Sequence, residues 1–94
     1  MQMVRAHLTI KGRVQGICYR AFTRDLSLQL SLRGWVRNLP DGSVEAIFEG
    51  YDDDVRKAIT NCFSGPPGAR VDDIDVQWED YKGDLQEFHI RYHS

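Results

Sequence analysis

No stretch of this 94-residue sequence approaches the roughly 18 to 20 unbroken apolar residues of a membrane-crossing helix, and 12 basic against 14 acidic side chains leave a net charge of only −2. The first shortage argues against a membrane partner. The second argues against nucleic acid, because the broad positive field that drives sequence-independent binding is missing. Any anion site must therefore be local. Cysteine is scarce too. Cys18 and Cys62 are far apart, form no C-x-x-C and are too few for a cysteine-based zinc site, so both read as thiols. A secretion signal is also missing, since Arg5, His7 and Lys11 interrupt what would have to be its apolar segment and no small-residue cleavage site follows. The expected location is the cytoplasm.

What is present is the length of one domain, residues 1–94, with enough apolar side chains for a core that needs neither disulfide nor structural metal. Val4, Ala6, Leu8 and Ile10 alternate with polar neighbours, the period of a strand with one buried face. From Tyr19 to about Leu32 the period lengthens, with Phe22, Leu26 and Leu30 spaced as on an amphipathic helix that Gly34 is expected to end. Trp35 to Leu39 and Ser43 to Glu49 read as strands joined by the turn Pro40-Asp41-Gly42. Asp52, Asp53 and Asp54 stand where a second helix would begin and its dipole favours acids. Val55, Ala58, Ile59, Cys62 and Phe63 mark its apolar stripe, and Gly65 and Pro66 its stop. Val71 to Asp80 and Gln86 to Tyr92 are the remaining strands, with Ile74, Val76 and Trp78 on one parity of the former and Phe88, Ile90 and Tyr92 on one parity of the latter. The order βαββαβ, with a short extra strand, predicts an α+β ferredoxin-like sandwich: an antiparallel sheet with two helices on one face.

The segment from Gly12 to Arg20 is the most informative. It is a glycine-bearing loop that feeds directly into a helix N-terminus, where backbone N–H groups lack intrahelical partners and the dipole adds roughly half a positive charge. Arg20 in the first turn opposes that dipole, at a cost of a few tenths of a kcal/mol to ~1 kcal/mol. A bound phosphoryl group would compensate it through two parallel hydrogen bonds. A turn beside an arginine free in solvent is the other reading of the same pattern. The loop does not fit G-x-x-x-x-G-K-[ST] or G-x-G-x-x-G, so a nucleotide triphosphate is not favoured.

Asn38 is the second candidate. It shares the parity of Val36, which should face the helices, and strands one and two of this order run parallel, so their ends share one rim of the sheet. Asn38 can thus point toward Arg20, or alternatively serve only the Pro40-Asp41-Gly42 hairpin. Cys18 makes a poor phosphatase nucleophile, since only Tyr19 separates it from Arg20, and Cys62 falls on an apolar helix face. His7, His89 and His93 lie on the wetter strand parities. The acids at 52–54 and 72–75 lack the glycine and glutamate spacing of a calcium loop. A noncatalytic ferredoxin-like binding module is the competing class, although the aromatic pattern of RNA readers is absent.

The stretch Gly12-Arg13-Val14-Gln15-Gly16-Ile17-Cys18-Tyr19-Arg20 resembles the acylphosphatase signature G-x-V-Q-G-V-x-[FY]-R. Gly34-Trp35-Val36-Arg37-Asn38-Leu39-Pro40-Asp41-Gly42-Ser43-Val44, closing at Gly50, resembles the second signature of that family, G-[FYW]-[AVC]-[KRQ]-N-x-x-x-G-x-V-x5-G. Ile17 stands for the commoner valine, and Cys18 fills a variable position. The resemblance implies a metal-independent, cofactor-free hydrolase of acyl phosphates with the ferredoxin-like fold. The backbone of Val14, Gln15, Gly16, Ile17, Cys18 and Tyr19 would hold the phosphate together with Arg20, and Asn38 would orient the attacking water. The expected partner is a small acyl phosphate and the expected state a monomer. No residue is seen to read the acyl group, so loose specificity is expected.

Overall fold

The alternating residues near the N-terminus form β1 (Met3–Arg13), and the rest of the chain follows as α1 (Tyr19–Gln29), β2 (Arg33–Asn38), β3 (Val44–Tyr51), α2 (Asp52–Ser64), β4 (Arg70–Glu79) and β5 (His89–Ile90). This is a computed structural model and it describes residues 1–92, so His93 lies outside the described residues. The five strands lie in the order β4-β1-β3-β2-β5. Both helices cover one face, with α1 over β2 and β5 and α2 over β1, β3 and β4. The architecture is the ferredoxin-like α+β sandwich.

Period-2 burial places the core where the alternation puts it. Ala6, Leu8 and Ile10 of β1, Val36 of β2 and Val44, Ala46 and Phe48 of β3 are fully buried against Val55, Ala58 and Cys62 of α2. Each large aliphatic side chain so buried contributes roughly 1.5–3 kcal/mol. The opposite face is polar but not open everywhere. Arg5 donates to Glu49 (3.1 Å) and Glu79 (2.9 Å), and the N–H groups of Lys82 and Gly83 also donate to Glu49 (3.0 and 3.3 Å). The buried carboxylate is thereby paired, and it fastens the segment after β4 across the sheet.

Three details depart from the sequence pattern. The sheet is mixed, not wholly antiparallel. The last strand is confined to His89–Ile90 and runs parallel to β2, preceded by an isolated bridge between Arg33 and Glu87. Helix α1 ends earlier than expected, and Gly34 does not end it. Ser31 takes a left-handed φ of 56°, with its N–H donating to Leu28 and that of Leu32 donating to Ser27, the paired bonds of a Schellman stop. Gly34 lies inside β2, where a Cβ would come within 1.8 Å of the Ile47 carbonyl oxygen; glycine permits that close approach. Finally, the fully buried line of α1 is Tyr19, Thr23 and Ser27, while Phe22, Leu26 and Leu30 are only partly covered. Small hydroxyl side chains let the helix sit close to the sheet, and Thr23 satisfies its hydroxyl by donating to the Tyr19 carbonyl (2.9 Å). No helix among the described residues is long and apolar enough to cross a membrane.

Candidate active site

Antiparallel pairing brings Ile10, Val44 and Asn38 level across β1, β3 and β2, so the loop leaving β1 and the last residue of β2 occupy the same rim. That loop contains two left-handed backbone positions, Gly16 (φ 78°) and Cys18 (φ 66°, ψ 24°). Cys18 caps α1, yet its side chain makes no capping bond. The first helical amide with an intrahelical acceptor is that of Phe22, bonded to the Cys18 carbonyl at 2.9 Å. The N–H groups of Tyr19, Arg20 and Ala21 therefore lack the acceptors that a longer helix would give them. A left-handed Cys18 followed by helical Tyr19 curls successive N–H groups toward one point, the geometry of an anion nest. A Cβ on Gly16 would meet nothing within 4 Å, so glycine is required there by its φ and not by crowding.

Arg20 rises from the first turn of α1, which holds no acidic residue. Its guanidinium carbon lies 5.0 Å from the centre of the Tyr92 ring. Asn38 faces it from β2, with its Oδ1 buried and bonded to nothing among the described residues. A buried carbonyl oxygen without a donor costs roughly 1–3 kcal/mol, which a bound O–H donor would relieve. Both side chains border a cleft of about 260 Å³, together with Val14, Gly16, Cys18 and Tyr19. Ile90 and Tyr92 close its other side.

Gln15 and Ile17 do not border this cleft. Gln15 turns its side-chain amide to the β2–β3 hairpin, donating to the carbonyls of Leu39 (2.9 Å) and Ser43 (2.8 Å). Ile17 packs partly against the core. Tyr19 anchors the base of the loop, its hydroxyl donating to the Cys62 carbonyl. Burial raises the Tyr19 pKa and pushes the Cys62 thiol up to about 12. Beyond the cleft, burial acts to raise the Glu45 pKa, but hydrogen bonds from His7 (2.7 Å) and Arg37 outweigh it and hold the carboxyl below its ordinary range. Among the described residues, no group of three or more His, Cys, Asp or Glu side chains is placed to hold a metal ion.

The family model described as Acylphosphatase matches residues 6–90. A curated acylphosphatase of Pyrobaculum islandicum is 50% identical over 91 residues, covering 96% of each chain. One from Aeropyrum pernix is 52% identical over 91 residues, covering 96% of this chain and 90% of its own. The crystal structure of acylphosphatase from Bacillus subtilis superposes with a TM-score of 0.91 at 30% identity, covering 95% of this chain and 99% of the other. The chain belongs to the acylphosphatase family.

Two features of the acylphosphatase site go beyond what the sequence suggested. Tyr92, 69% exposed yet stacked on Arg20, shares the parity of Phe88 and Ile90, and that parity could have placed it on the helix face at the same rim. The strut from Gln15 to the hairpin had no such signal, because a glutamine in a loop reads as solvated until its partners are positioned by the fold.

Proposed function

We propose that the chain hydrolyses the carboxyl–phosphate bond of acyl phosphates, giving a carboxylate and inorganic phosphate. The observation that carries this reading is the convergence, on one cleft, of the left-handed loop at a helix N-terminus, Arg20 and the Asn38 Oδ1 that has no partner among the described residues. In this reading the amides of the loop residues that border the cleft, Val14, Gly16, Cys18 and Tyr19, and the Arg20 guanidinium take the phosphoryl oxygens, while Asn38 accepts from the attacking water and fixes its line of approach. The stacked Tyr92 restricts the Arg20 side chain so that less freedom is lost on binding. The water oxygen attacks phosphorus, the bond from phosphorus to the acyl oxygen breaks, and its electron pair leaves on the carboxylate. Both water protons remain with the inorganic phosphate. With a leaving-group pKa of about 4, no protein acid is needed at neutral pH. Charge stabilisation and positioning suffice without a metal. We further propose that the reaction is carried by one domain, working as a cytoplasmic monomer.

Benzoyl phosphate and phenyl phosphate, assayed side by side for phosphate release, test this function. Rapid turnover of the first, undiminished by exhaustive chelation, with little of the second is the expected outcome. Equal rates on the two, or loss on chelation with recovery on adding metal, would sink it.

A further inference from the structure

The cleft at Arg20 adjoins a second hollow of about 270 Å³, which shares Arg20, Asn38 and Tyr92 with it and adds Arg37, Leu39, Pro40 and Arg91. Two guanidinium groups stack on Trp35 here, with their carbons 4.4 Å (Arg91) and 5.4 Å (Arg37) from the ring centre. Their charges are not equivalent. Arg37 donates to Glu45, which also binds His7, so its charge is matched. Among the described residues no carboxylate lies within ion-pair distance of Arg91. Its main-chain N–H donates to the Val36 carbonyl at 2.8 Å, so the backbone that carries it is fixed to β2. Stacking holds the Arg91 guanidinium in place without neutralising it. Among the described residues the hollow thus offers a cation without a matching carboxylate beside the phosphate cleft, with the apolar surfaces of Leu39 and Pro40 in the same lining.

We propose that this hollow is the acyl subsite and that Arg91 binds a carboxylate at the far end of the acyl group, so that acyl phosphates of dicarboxylic acids are preferred over those with an uncharged tail. The inference rests on the acylphosphatase reading above. Arg20 takes the phosphoryl group, the methylene chain lies against Leu39 and Pro40, and the terminal carboxylate forms a charge-assisted pair with Arg91. Specificity is then looser for chain structure than for terminal charge.

The monoacyl phosphate of adipic acid and its uncharged counterpart, in which the free carboxylate is a carboxamide, differ only in that terminal group. At low ionic strength kcat/KM should favour the charged substrate by about tenfold, mainly through KM, and added salt should shrink the ratio because the pair is exposed. Arg91→Gln should bring the ratio close to one, and Arg91→Glu should invert it. Equal kcat/KM for the two substrates with the unsubstituted chain, or a preference that survives in Arg91→Gln, would overturn the subsite while leaving the phosphate site standing. Failure to hydrolyse either substrate would overturn both.

Discussion

Arg20 and Asn38 meet at one cleft, and the proposal gives them different roles there. In the proposed mechanism the arginine binds charge that the substrate already carries, whereas the asparagine acts on water that matters only on the way to the transition state. Arg20→Ala should therefore raise the Ki of inorganic phosphate by about 10- to 100-fold and lower kcat, and Arg20→Lys should rescue little, since an ammonium lacks the forked geometry. Asn38→Ala should leave that Ki nearly unchanged while kcat falls by roughly 100-fold or more. A Ki raised equally by both substitutions would refute the division of labour. The two cysteines also differ in accessibility. Cys62 is buried beneath Tyr19 with its thiol pushed up to about 12, while Cys18 is exposed at the loop. A thiol reagent near pH 8 should titrate one group in the native protein and two after unfolding. Cys18→Ser should abolish the native signal and retain most of the activity, because the role proposed for that position belongs to its main chain. A phosphocysteine trapped during turnover would contradict it.

At the scale of elements, the site depends on how the β1–α1 loop is held to the β2–β3 hairpin. The two bonds from Gln15 to Leu39 and Ser43 form that strut. Gln15→Ala should cost roughly 1 to 2 kcal/mol in urea denaturation and lower kcat more than it raises KM, since the hairpin carries Asn38. Arg20→Ala should do the reverse, keeping or slightly raising stability by removing a cation from a helix N-terminus. Unchanged kcat in Gln15→Ala would mean that the hairpin holds its own position. Much of this level was legible in the sequence. Parity put Asn38 on the face of Val36, and the strand order put it on the rim of the loop, because both rules follow from backbone geometry alone. The buried line of α1 was not legible. Hydrophobicity marked Phe22, Leu26 and Leu30, whereas the fully buried line runs through Tyr19, Thr23 and Ser27, the last two suited to it by small size and not by hydrophobicity. The parallel pairing of β5 was equally hidden, since two bonded residues carry almost no pattern.

For the whole molecule, the strand order determines how a productive site is assembled. Loop, arginine and asparagine come from the first half of the chain, but β1 is flanked on one side by β3 and on the other by β4. The ion pair between Arg5 and Glu79 joins residues 74 positions apart, and the partners of β1 in β4, and to a lesser degree those in β3, also lie far off in the sequence. Closing such loops must come before the contacts reward it, so stopped-flow refolding should fall in the millisecond-to-second range, slower than a helical bundle of this size. Microsecond refolding would contradict this. A consequence concerns the newborn chain. At about 5 to 20 residues per second, the ribosome releases β1 seconds before β4 is made. During that interval the first strand has an unpaired edge, so the loop, Arg20 and Asn38 exist before the sheet that orients them is complete. Activity should therefore appear only once the chain has been released nearly whole.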